Sequence, residues 1–173
     1  MNLKMVKSKD LLWRNVMGYN VIDLINRCIQ IEDIKLKYLE ELIEKKKNEP
    51  TVQIMCKVFF KDSINTRSFY KNLKEDLDAS KIDEIHIMTY DKISFLFNEF
   101  IKKIYVADLN SPRKYLLFAL DLAEDKHSLF LDIQARMYND SKDDSTVTYE
   151  ILTKIIQKSE KQVKAIKKTL SKI

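Results

Sequence analysis

IEDIKLKYLE, residues 31–40, and AEDKHSLFLD, residues 123–132, decide the fold of this chain. Each holds an acid inside an apolar helical stripe and an aromatic about two turns on: Glu32 with Tyr38, and Glu124 with Phe130. Around the first, Val21, Ile25, Cys28, Leu36, Leu39 and Ile43 recur with Glu32 at the spacing that keeps one helix face inward. Around the second, Leu116, Leu120, Glu124, His127 and Leu131 form the corresponding stripe.

Working outward, the helix boundaries have chemical markers. Asn20 stands where a cap is needed before Val21, and Ser111-Pro112 pairs a cap with a proline in the first turn. The periodicity predicts long helices near 20–48, 51–77, 112–138 and 147–172. The second carries Met55, Val58, Phe59, Asp62, Asn65, Phe69 and Leu73 on one face. The fourth carries Leu152, Ile155, Ile156, Ser159, Gln162 or Val163, Ile166 and Leu170. Ser8 caps an expected short helix within 1–19, ending at Gly18. Residues 79–111 are too many for a plain loop, which rarely exceeds about 12–15 residues. Their apolar middle, YDKISFLFNEFIKKIYV, reads as a helical segment inside a long crossover. A connection that long leads us to expect parallel first and third long helices.

Composition narrows the classes. One glycine and two prolines cannot supply the turns of a multi-stranded sheet, nor a glycine-rich phosphate loop. The expected fold is all-α, a single helical domain over 1–173. The first residues, MNLKMVKSKD, lack the apolar stretch of a signal peptide, so the cytoplasm is the expected location and no membrane span is expected. Cys28 and Cys56 sit among apolar neighbours and read as buried thiols. The net charge of +5 is concentrated at the end, where residues 154–173 hold seven lysines and one glutamate. That run suits a solvated helix face or an acidic protein partner; no nucleic-acid motif accompanies it. There is no nucleophile elbow and no cysteine pair at metal-site spacing.

The helix pairs repeat. Glu32 falls on Glu124, Asp33 on Asp125, Tyr38 on Phe130 and Leu39 on Leu131. In the second and fourth helices Val58 falls on Ile155, Phe59 on Ile156, Asp62 on Ser159 and Asn65 on Gln162. Repeated helical hairpins with a long link between them point to a crossover four-helix bundle.

On these residues the chain resembles the rubrerythrin branch of the ferritin-like superfamily. The resemblance implies a ferritin-like four-helix bundle holding two metal ions on a Glu from the first and third helices and a Glu-x-x-His from the second and fourth. This chain departs from that pattern. It has Asp62-Ser63-Ile64-Asn65 on the second helix and Ser159-Glu160-Lys161-Gln162 on the fourth, so both histidines are missing. Asn65, Ser159 and Gln162 are weak ligands or none. The expectation is a degenerate site: no cofactor, or one weakly held iron, manganese or zinc on Glu32, Asp62, Glu124 and His127. Alternatively, these groups bond to one another. No catalytic residue is identified; any activity would be the iron or peroxide oxidoreduction that the resemblance implies, the other alternative being a helical interaction module. The apolar run Phe95, Leu96, Phe97, Phe100, Ile101 suggests a homodimer. His86 reads as a surface or packing residue.

Overall fold

The structure is a computed structural model that describes residues 18–105 and 111–172. The expected helix capped by Ser8 lies outside them. Asn20 does cap the first helix: its side chain accepts from the Ile22 backbone N–H, and Asp23 answers by accepting from the Asn20 backbone N–H. That helix is α1, Val21–Lys45. Pro50 begins α2, Pro50–Glu75. Next comes α3, Ile87–Lys102, the helical segment expected in the long connection, with the His86 ring capping it by accepting from the Met88 N–H. Ser111 caps α4, Pro112–Ser141, and Thr146 caps α5, Val147–Leu170. The chain is all-helical apart from one two-residue antiparallel pair among the described residues, β1 (Tyr19–Asn20) with β2 (Glu84–Ile85). None of the described helices is long and apolar enough to cross a membrane.

Side-chain bonds give the helix directions. Between α1 and α2, Gln53 donates to the Ile43 carbonyl at one end, Arg67 meets Asp33 in the middle, and Lys74 donates to Asn26 at the other end. The two are therefore antiparallel. Likewise α4 and α5 are antiparallel, bonded through Glu124–Lys167, His127–Ser159 and Gln134–Thr153.

The core has two parts. The larger joins Ile25 and Ile31 of α1, Tyr70 of α2, Phe97 of α3, Phe130 and Ile133 of α4, and Leu152 and Ile155 of α5. The smaller joins Leu39 and Leu42 near the end of α1 to Val52 and Cys56 at the start of α2 and Tyr115 at the start of α4. The end of α1 therefore meets the start of α4, while the start of α1 packs with α4's later turns. The expectation of parallel first and third long helices is corrected: they are antiparallel, and α4 runs in the direction of α2. The segment containing α3 returns the chain to the end at which α2 began.

The inward faces of α1 and α5 are those expected, but α2 and α4 are rotated. On α2 the buried residues are Val52, Cys56, Ser63, Thr66, Tyr70 and Leu73, while Asn65 is exposed. On α4 they are Tyr115, Leu116, Lys126, Leu129, Phe130, Ile133 and Met137. Of the apolar run in α3, Phe97 and Phe100 are buried, whereas Phe95 is left 63% exposed.

Gly18 precedes β1 with φ +132°, a conformation that residues with a Cβ rarely adopt. A Cβ there would also meet the Glu84 carboxylate, which is mobile enough to yield. Thermal unfolding should therefore show Gly18→Ala to be less stable by about 1 kcal/mol or more, and adding Glu84→Ala should not restore it, because the backbone conformation dominates.

Candidate functional site

Glu32 is fully buried at the middle of α1. A lone carboxylate there would be driven neutral, so its partners decide its state. One is Lys126 of α4, itself 3% exposed, whose Nζ lies 2.9 Å from Glu32 Oε1. The other is Lys35, one turn on along α1, 2.9 Å from Oε2. Burial pushes the Glu32 carboxyl up, but the two ammoniums outweigh it and hold the pKa at about 2. Burial pulls Lys126 down and Glu32 pulls it back. Glu32 is therefore an anion, held as one by the lysines.

The network continues across the molecule. Lys126 Nζ also donates to Gln162 Oε1 of α5 at 3.0 Å. Gln162 Nε2 donates to Asp62 Oδ2 at 2.7 Å and Thr66 Oγ1 at 2.8 Å, both on α2. The amide has one workable orientation, since its oxygen must face the ammonium. One chain of bonds thus ties α1 to α4, α4 to α5 and α5 to α2. It contains two carboxylates and two ammoniums, so its formal charges cancel.

Beside it is a cavity of about 50 Å³. Tyr38, Phe59, Tyr115 and Phe118 supply apolar walls, and Lys35, Asp62, Lys126 and Gln162 the polar end. It has the size for a few waters, at about 10–15 Å³ each, not for an organic substrate. Cys28 and Tyr70 are also interior; burial pushes the thiol and the phenol up, so neither is a nucleophile near neutrality. Cys28 and Cys56 are both free thiols.

The four expected metal ligands are not gathered. Glu32 is taken by lysines, and Asp62 by Gln162. Glu124 is part-exposed and pairs with Lys167. His127 Nδ1 lies 2.8 Å from Ser159 Oγ. Because the Ser159 hydroxyl proton goes to the Ile156 carbonyl, His127 Nδ1 is the donor in that contact. Among the described residues no group of three or more His, Cys, Asp or Glu is placed to hold a metal ion. The donor set does not fit a di-metal centre: an ammonium stands on the inner face of Glu32, and an ammonium offers only donors. Of the weak-ligand positions, Gln162 and Ser159 are buried in bonds of their own and Asn65 faces solvent.

The residue that sequence reasoning missed is Lys126, and with it Thr66. The repeat pairs Glu32 with Glu124, but the structure brings Glu32 against Lys126, 94 positions away. Two residues along a helix are a rotation of about 200° at 3.6 residues per turn, enough to exchange inner and outer faces. Leu122, Leu129, Phe130, Ile133 and Met137 carried the signal, since their stripe passes through Lys126. No family model, curated protein or solved structure matches this chain.

Two outcomes are expected. Lys126→Met, which leaves Glu32 short of its buried partner, should cost about 3 kcal/mol or more in urea unfolding. Combining it with Glu32→Leu should recover much of that loss, because two apolar groups replace the pair together. The second concerns acid. The Glu32 pKa is lower in the folded chain, about 2 against an ordinary 4.5, so its contribution is complete above pH about 4.5. It should fall away as pH drops toward 2, and the Glu32→Gln variant should show a shallower acid dependence over that window.

Proposed function

We propose that this chain is a ferritin-like four-helix bundle, of rubrerythrin-like descent, in which an internal ion pair has replaced the metal centre, and that it acts as a helical binding scaffold rather than an oxidoreductase. One observation carries the reading: the chain of bonds from Glu32 through Lys126 and Gln162 to Asp62 and Thr66, which joins the four long helices at mid-height. That is where a ferritin-like bundle places its metal ligands on facing helices. The antiparallel pairs α1–α2 and α4–α5, linked by the long segment that holds α3, suit the crossover topology. Lys126 supplies the positive charge that the interior carboxylates require, and the cavity beside it is too small for a substrate. The function then lies on the outer surface.

The proposal includes a homodimer through α3, where Phe95, Met88 and Ile87 are exposed. Sedimentation velocity should give twice the 20.5 kDa chain mass, and Phe95→Glu should return the monomer.

Metal analysis tests the interior. Protein purified from cells supplied with iron, manganese and zinc should carry each at well below one ion per chain, and Glu32→Gln should leave those amounts unchanged. A stoichiometric ion that is lost in Glu32→Gln would overturn the reading.

A further inference from the structure

On the side of the molecule away from α3, helices α2 and α5 leave a groove of about 420 Å³. Ile54, Met55 and Val58 line it from α2, and Ala165, Ile166 and Thr169 from α5. The polar pair Asp62–Gln162 closes its floor. This is an open apolar strip and not a packed one: Ile54 is 62% and Val58 61% exposed. Large exposed aliphatic residues at adjacent positions on one helix face mark a contact surface.

The borders of the strip carry one sign of charge. On α2, Lys57 and Lys61 follow Ile54 and Val58 by three residues, which puts them along the outer edge. On α5, Lys161 and Lys168 hold the same relation to the lining residues, preceding or following them by one turn. All four are exposed, and among the described residues Lys61, Lys161 and Lys168 make no ion pair. The acids nearest on α5 and on the groove floor are engaged, Glu160 by Lys164 and Asp62 by Gln162.

We infer that this groove receives an acidic amphipathic helix of another protein, with apolar residues at i, i+3 or i+4 and i+7 seated between α2 and α5 and carboxylates facing the two rows of lysines. The strip from Thr51 to Asp62 covers about three helical turns, roughly 16 Å at 1.5 Å per residue, which matches that spacing of anchors. A second copy of the chain is a poor occupant, because it would set lysine rows against lysine rows. A flat anionic membrane would meet the lysines but not the concave floor. The inference does not depend on the history proposed for the interior.

Fluorescence anisotropy of the full chain tests it. The probes are labelled 18-residue peptides with Leu, Ile or Phe at i, i+3, i+4 and i+7 and Glu on their flanks, each beside a scrambled peptide of the same composition. The ordered peptides should bind saturably and the scrambled ones at least about tenfold more weakly. Val58→Glu should weaken binding about tenfold or more, since it places a carboxylate in the apolar strip against the probe's own acids. Lys61→Glu with Lys161→Glu should weaken it comparably and flatten its dependence on salt. Both changes are on exposed positions, and circular dichroism should show their helix content unchanged. Equal binding of ordered and scrambled peptides, or binding indifferent to Val58→Glu, would overturn the inference, as would no binding at all. So would a Val58→Glu-sensitive dimer of the chain itself, or Val58→Glu-sensitive binding to phosphatidylserine vesicles without peptide binding; these would assign the groove to a second copy or to a membrane.

Discussion

The Lys126 ammonium is the point about which the molecule is arranged. Placing a charge in an apolar interior is costly unless every direction in which it can donate or attract is answered. Its answers come from other helices: Glu32 on α1 and Gln162 on α5. Gln162 can face the ammonium with its oxygen only if its nitrogen has acceptors, and Asp62 and Thr66 on α2 provide them. Satisfying one lysine thus specifies the rotation and height of four helices. Apolar contacts supply most of the driving force, but they tolerate sliding and rotation far better than a bonded charge does.

This arrangement also separates stability from chemistry. The interior holds ionisable groups, but its charged ones are paired, and burial keeps the Cys28 thiol and the Tyr70 phenol protonated. The carboxylate of Glu32 has both oxygens occupied, the thiol of Cys28 is raised by burial, and the adjoining cavity is of solvent dimensions. Outside, apolar side chains of α2 lie exposed beside lysines.

Much of the fold was legible in the residues. Asn20, Ser111 and Pro112 marked helix starts because capping and proline geometry are local. The stripe of α1 was legible because every buried residue on it except Glu32 is apolar, and that of α5 because Ser159 and Gln162 stand in line with Leu152, Ile155 and Val163. On α2 and α4 the same rule chose the wrong face. There the interior includes Ser63, Thr66 and Lys126, while Ile54, Val58 and Leu131 are left outside. Counting apolar residues assumes that polar side chains face water, and here that assumption fails in the region where the site lies.

Sequence by itself determined the helical class, the Asn20 and Ser111 caps, the long connection, and the burial of Glu32 and both cysteines. These follow from interactions within a few turns of chain. Only the tertiary structure decided that Glu32 faces Lys126 and not Glu124, that α4 opposes α1, and that the groove between α2 and α5 is open. A lysine carries no local mark of whether its ammonium will meet water or a carboxylate 94 positions away. Its state is fixed only when the helices pack, because desolvation and pairing are properties of the assembled interior and not of the segment that contains the residue.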